Sequence, residues 1–313
     1  MKWIISVALC VAVFFALGCS TSSLSRKEIE RLSTGMNFVT IPASVPGTSK
    51  DVKVHYIEAG DPGAPAMILI HGFASSTLTW KDCVPELAKY YHVYAIDMPG
   101  FGYSDKFRDF PYGPEGYGKV VVEFMDLKGI DKAVVGGNSM GGGVSAWLAM
   151  NRPERLTHLV LIDAAGYPME TPGLVSLAQK QWLKPIIKPF YGKFIVGMGL
   201  KQVYYDDSKV TPEWIELYGR PFKTANGKDV PFWVFEKLGE EDWEAQSVKI
   251  PTIKIPTLII WGENDTWIPL EHAHMFNRDI EGSKLVIIPE CGHVPEEEKP
   301  DVVVAAILEF LGH

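Results

Sequence analysis

The 313-residue chain predicts an α/β fold, a mostly parallel sheet flanked by helices and carrying an inserted helical cap. Three observations predict it. Short apolar runs recur at 67–70, 92–96, 133–135, 257–261 and 284–288, and each ends in a loop marked by glycine, proline or a charged residue, as buried strands do. Gly137-Asn138-Ser139-Met140-Gly141 stands between one of these runs and a helix-compatible stretch, 142–150. The alternation of strand and helix then stops from about residue 166 to residue 250 and resumes near Thr257.

The elements follow in order from the N-terminus. Met1-Lys2 precedes a nearly continuous apolar run, 3–17, and then Gly18-Cys19. One positive charge, a short apolar segment and a small residue describe a secretory signal. The run falls short of the ~20 residues that a membrane span needs. Ala16-Leu17-Gly18-Cys19 resembles a bacterial lipobox, with cleavage before Cys19 and acylation of that cysteine. Ala16-Leu17 departs from the commonest pairing, so ordinary signal-peptidase cleavage nearby stays open. On this reading residues 1–18 are the signal and 19–36 a polar tether. The expected location is the cell envelope, with the membrane reached through the lipid anchor.

Ser139 is the expected nucleophile. A sharp strand-to-helix turn lifts its hydroxyl above the sheet edge, and the flanking glycines avoid a clash in the turn. A hydroxyl needs a base and an orienting acid. The strand 257–261 ends in Gly262-Glu263-Asn264-Asp265, and the strand 284–288 ends in Pro289-Glu290-Cys291-Gly292-His293. Both groups therefore lie beyond strand ends, where open α/β sheets place their sites. Asp163 also ends a strand and is the alternative acid; Asp265 fits its Trp-Gly-x-x-Asp context better. His71 is read as shaping its loop. Asp97 and Asp105 are read as fixing the loop after Ile96 through backbone N–H groups. His272 and His274 are two apart, which points them to different helix faces, and both are read as surface residues.

The order Ser, Asp, His, together with His71-Gly72-Phe73, Asp97-Met98-Pro99-Gly100-Phe101-Gly102-Tyr103-Ser104-Asp105 and Gly292-His293-Val294-Pro295, resembles the α/β-hydrolase superfamily from about Val52 to the C-terminus. The resemblance implies a core of residues 37–165 and 251–313 and a cap of 166–250. It implies that the backbone N–H groups of Phe73 and Met140 form an oxyanion hole. It implies carboxylic-ester hydrolysis without a cofactor, on a small apolar substrate suited to the cap's many large apolar residues, among them Phe194, Trp214, Phe232 and Trp233. Relatives that hydrolyse carbon–carbon bonds in ring-cleavage products also carry Gly-Asn-Ser-Met-Gly-Gly. They tend to have Trp after the histidine, where this chain has Val294, and a cap arginine, for which only Arg220 stands here. Cofactor-free haloperoxidase-like relatives share the triad. A surface binding protein on the same scaffold would be marked by a broken triad. Dehalogenases and epoxide hydrolases of this fold carry Asp in place of Ser139.

Composition sets the outer bounds. With 47% hydrophobic residues the chain can bury one large core plus a cap. A formal net charge of −8 disfavours nucleic acid and anionic membrane surfaces as partners of the globular part. No metal-ligand or nucleotide-binding motif appears. Of four cysteines, Cys10 leaves with the signal and Cys19 is the lipid site, so Cys83 and Cys291 remain, with no support for a bridge between them. The oligomeric state is not legible.

Overall fold

The computed structural model describes residues 36–169 and 192–313, with Pro185 and Lys188 between them. The signal, Cys19 and nearly all of the tether therefore lie outside the described residues. Eight strands form one sheet: β1 (Asn37–Ile41), β2 (Val52–Ala59), β3 (Ala66–Ile70), β4 (His92–Ile96), β5 (Ala133–Asn138), β6 (Leu156–Ile162), β7 (Thr257–Gly262) and β8 (Lys284–Ile288). Their order is β1-β2-β4-β3-β5-β6-β7-β8. Only the β1–β2 and β2–β4 pairs are antiparallel.

The apolar runs form strands because helices cover both sheet faces, so every residue of β4, β5 and β7 is buried. Alternation within each strand divides the core in two. Ile68, Ile70, Val135, Leu159, Leu161, Ile259 and Trp261 face the helices Pro114–Lys128, Met140–Asn151 and Glu271–Asp279. Met67, Leu69, Val134, Val160, Ile162, Leu258 and Ile260 face Val84, Leu87, Val303 and Ile307 on the opposite layer.

After β4 the chain crosses to the far side of β3 to form β5, so the loops after β3 and β5 adjoin, with Ile70 in register with Gly137. Such a reversal of strand order opens a crevice at the carboxyl ends of the strands. The described cap spans that edge with the helices Lys193–Val203, Pro212–Gly219, Val230–Leu238 and Trp243–Ser247. Thr211 caps the second of these, its hydroxyl accepting the Trp214 N–H at 3.2 Å, with Pro212 in the first turn. The cap's apolar face carries Val196, Leu200, Tyr218, Phe222, Phe232 and Phe235, and packs on Phe73, Trp267 and Val294 of the core loops.

Two cap aromatics depart from the expected pocket lining. Phe194 is 64% exposed, and Trp233 stacks 6.5 Å from Tyr112 of the core. Among the described residues no helix is long and apolar enough to cross a membrane.

Candidate active site

β5 ends at Asn138, and the helix Met140–Asn151 starts immediately beyond Ser139. Joining them leaves Ser139 at φ 55°, ψ −117°, a strained conformation for a residue with a Cβ. The surrounding structure holds it there: the Ser139 N–H donates to the Ile162 carbonyl at 2.9 Å, and its carbonyl accepts from Ala165 at 3.0 Å and Gly143 at 3.1 Å. The flanking glycines are required by close approach. A Cβ on Gly137 would lie 2.4 Å from the Gly141 carbonyl carbon, and one on Gly141 would lie 2.2 Å from the Ile70 carbonyl oxygen.

The three residues expected from sequence converge. Ser139 Oγ lies 2.8 Å from His293 Nε2, and His293 Nδ1 lies 2.7 Å from Asp265 Oδ2. The Asp265 side chain is fully buried and that of His293 is 5% exposed, so the ion pair formed on protonation would be shielded from water. Asp265 Oδ1 accepts the Trp267 N–H at 2.7 Å and the Ile268 N–H at 3.1 Å, which fixes the carboxylate plane. Trp267 stacks on the imidazole with ring centres 5.8 Å apart.

Met140 opens its helix, so its N–H is one of the donors without an intrahelical partner. Gly72 lies against Ser139, since a Cβ there would sit 3.2 Å from the Ser139 Cβ. This brings Phe73, the next residue, to the edge of the site. The Phe73 ring packs against Phe235 of the cap at 4.3 Å and Phe101 at 5.6 Å.

His71 accepts the Met98 N–H on Nε2 at 3.0 Å and meets the Gly72 carbonyl through Nδ1 at 2.6 Å, a pattern that needs the Nδ1–H tautomer. Burial pushes its pKa down, so it stays neutral. Asp97 accepts the N–H groups of Tyr103 at 2.8 Å and Thr77 at 2.6 Å, and faces His55 Nδ1 at 2.7 Å. Burial alone would raise its pKa; the hydrogen bond and charge of His55, with His71 and Tyr103, outweigh that and bring it to about 2. Asp105 accepts the Lys53 N–H at 2.9 Å, tying its loop to β2. His272 corrects the surface reading. It is 7% exposed, packed against Tyr167, while His274 is exposed. The helix Glu271–Asp279 turns them to different faces as expected, but the His272 face is the one laid on the core. Cys83 and Cys291 are separate, buried thiols.

Three residues that no signal in the sequence marks hold the histidine loop, and a fourth, Glu297, ties the following helix to the cap. Asn138 Nδ2 donates to the His293 carbonyl at 2.9 Å, linking the loops of His293 and Ser139. The His293 N–H donates to the Val203 carbonyl at 2.7 Å, at the end of a cap helix. Glu298 accepts N–H bonds from Gly292 at 2.6 Å, Tyr205 at 2.9 Å and Asp206 at 3.1 Å. Glu297 accepts the hydroxyls of Thr79, Tyr204 and Tyr218, the last two from the cap. The run Pro295-Glu296-Glu297-Glu298 carries only the signal of a helix start, so its burial was not legible.

Asp163, Asp265 and His293 present ligating atoms within 4.8 Å of one another, the one such set among the described residues. The facing atoms of Asp265 and His293 are already hydrogen-bonded, so a cation there would have to break the link that orients the histidine.

This serine-histidine-aspartate chain at the carboxyl edge of a mostly parallel sheet defines a hydrolase of α/β type. A sequence profile of the alpha/beta hydrolase family matches residues 67–306, and the chain belongs to that family. It is similar to an uncharacterised hydrolase, YugF, of Bacillus subtilis, at 30% identity over 84% of this chain and 96% of that one. It is 28% identical to a 2-hydroxy-6-oxo-2,4-heptadienoate hydrolase of Pseudomonas putida, over 83% of this chain and 92% of the relative. Among solved structures, a bacterial membrane phospholipase A shares the fold with a TM-score of 0.74, at 24% identity over 99% of this chain and 97% of that one.

Proposed function

We propose that the protein hydrolyses carboxylic esters with apolar, short to medium acyl groups through an acyl-enzyme on Ser139. The observation that carries the reading is the continuous link from Ser139 Oγ through His293 to Asp265, at 2.8 and 2.7 Å. Ser139 attacks the carbonyl while His293 Nε2 takes its proton. Asp265 holds the Nδ1–H tautomer and stabilises the imidazolium. The Phe73 and Met140 N–H groups receive the oxyanion. His293 then protonates the leaving alkoxide, and water, activated by the same histidine, cleaves the acyl-enzyme. The proposed chemistry calls for no cofactor. The apolar cap face over Phe73, Trp267 and Val294 supports a substrate without charge at the acyl end. By the same reading, acylation of Cys19 anchors the enzyme to the cell envelope.

A second reading, carbon–carbon bond hydrolysis, is favoured by the activity named for the Pseudomonas putida relative. Such a substrate carries a carboxylate that needs a cation. Arg220, which ends the cap helix Pro212–Gly219, is near enough to Tyr103 of the loop after β4 for its charge to act on that phenol. A panel of p-nitrophenyl esters of graded length, run beside a ring-cleavage dienone, separates the readings. We expect ester turnover to rise with chain length and then break, since each CH₂ that fits contributes up to ~0.8 kcal/mol. Faster cleavage of the dienone than of any ester, lost in Arg220→Ala, would replace the ester reading with the second.

A further inference from the structure

Resting on the triad reading above, we infer that Asp163 is a positioning residue that works as a neutral acid, keeping its proton and donating it in a hydrogen bond to the Asp265 carboxylate. β6 lies between β5, which bears the nucleophile, and β7, which bears the acid. Asp163 is the first residue beyond β6, so it stands at the sheet edge directly behind the triad. It is completely buried. It is held at φ 43°, in the left-handed region that Asp and Asn enter more readily than other residues with a side chain.

Its two oxygens are treated differently. Oδ1 accepts the Gly262 N–H at 3.0 Å, at the end of β7. Oδ2 is buried with no donor among the described residues. The surroundings of the carboxyl are more acceptor than donor: one of its oxygens lies within 4.8 Å of ligating atoms of Asp265 and His293, and the charges of Asp265 and Glu296 both act on the group. Cys291, the remaining titratable neighbour, is a thiol that burial keeps protonated. An ionised Asp163 would put a bare anionic oxygen beside a second carboxylate in a dry interior, where that repulsion is largest. A protonated Asp163 turns the unpartnered oxygen into a donor and the neighbouring carboxylate into its acceptor, which satisfies both. Burial first, then the Asp265 charge, pushes the Asp163 carboxyl well above the usual carboxylate range, in the same direction.

The role of that proton follows. Asp265 takes backbone N–H bonds on Oδ1 and the imidazole on Oδ2. A further hydrogen bond from Asp163 disperses the negative charge and pins the carboxyl against rotation. Removing it concentrates charge on the oxygens facing His293. The imidazolium then forms more readily, and the acidic limb of kcat/KM moves to higher pH. If Asp163 were instead an anion, removing it would take negative charge away, and the limb would move to lower pH. The sign of the shift separates the two states.

The test uses the full-length protein and an ester substrate. Asp163→Ala is expected to lower kcat/KM about tenfold and raise the acidic limb by roughly half to one pH unit, the scale of one lost charge-assisted hydrogen bond. Asp163→Asn keeps an N–H donor and tolerates positive φ, and is expected to restore most of both. A downward shift in either variant, or an alanine variant indistinguishable from the asparagine one, overturns the inference. Should alanine impair folding, the infrared difference spectrum of wild type minus Asp163→Asn at pH 7 decides. A protonated-carboxyl carbonyl band supports the neutral acid, and a carboxylate band in its place overturns it. Labelling by an organophosphate tells the two levels apart. Failure to label Ser139 removes the triad reading itself, whereas labelled Ser139 with a wrong-signed limb removes only the role of Asp163.

Discussion

Glu298→Ala removes an acceptor shared by three backbone N–H groups. The side chain is only 3% exposed, so water cannot take its place freely. The Gly292 N–H, at 2.6 Å, belongs to a buried residue of the histidine loop. Leaving it without an acceptor costs about 1–3 kcal/mol. The Tyr205 and Asp206 N–H groups, at 2.9 and 3.1 Å, belong to exposed residues and recover water in part. Each of these contributes about 0.5–1.5 kcal/mol. The expected loss is therefore roughly 2–6 kcal/mol, a large share of the 5–15 kcal/mol that a domain commonly has. Urea unfolding should show a lower midpoint with an unchanged slope. The same bonds join the histidine loop to the end of the cap helix, so kcat should fall as well, by up to about a hundredfold for a displacement near 1 Å. Glu298→Gln keeps one acceptor oxygen and should fall between. A loss below about 1 kcal/mol together with wild-type kcat would refute the view that Glu298 fastens cap to base.

Ser139→Ala should abolish ester hydrolysis with an unchanged unfolding midpoint, and an organophosphate should modify Ser139 alone; labelling elsewhere, read by peptide mass spectrometry, would move the nucleophile. Asp265→Asn should cost on the order of 10⁴ in turnover, the precedent for the corresponding change in another fold, and Asp163→Asn far less; steady-state kinetics giving the reverse ranking would make Asp163 the acid. Glu296 is fully buried with one oxygen unpartnered, and burial, then the charge of Glu297, holds its carboxyl well above the ordinary range. Its folded form keeps a proton that the unfolded chain sheds near pH 4.5, so its contribution is full below that pH and declines as pH rises toward the folded value. Glu296→Gln should accordingly gain stability relative to wild type between pH 5 and pH 8, and equal unfolding midpoints at both pH values would contradict the assignment. Mass spectrometry of the mature protein should find a diacylated or triacylated Cys19 at its N-terminus, and an unmodified start elsewhere refutes the lipoprotein reading.

The convergence of Ser139, Asp265 and His293 was legible because its signals are local. Ser139 sits in a turn that only glycine neighbours permit, and Asp265 and His293 each follow an apolar run that can be read one strand at a time. What joins these strands was not legible, because it depends on which loops meet. Asp163 and Asp265 both end strands, and nothing in either segment tells that β6 and β7 lie side by side with their carboxyls facing. Three consecutive glutamates after Pro295 carry no local sign of burial. Burial converts Glu297 into the acceptor for two cap tyrosines. His272 and Phe194 fail in opposite directions for the same reason. Helical spacing separates faces but does not say which face is covered, and here the polar ring went inside and the apolar one out.

The bond from the His293 N–H to the Val203 carbonyl has a consequence for redesign. Specificity in cap-bearing scaffolds is commonly altered by exchanging or trimming the cap, on the premise that it is a detachable module above a self-sufficient machine. Here the segment from Val203 to Asp206 supplies one acceptor to the His293 N–H and two donors to Glu298, the carboxylate that also holds the Gly292 N–H. A graft that replaces it would disable the chemistry while appearing to change only the fit. Chimeras of this enzyme should take their junctions outside that tetrapeptide, so that the incoming cap inherits the native anchorage of the histidine.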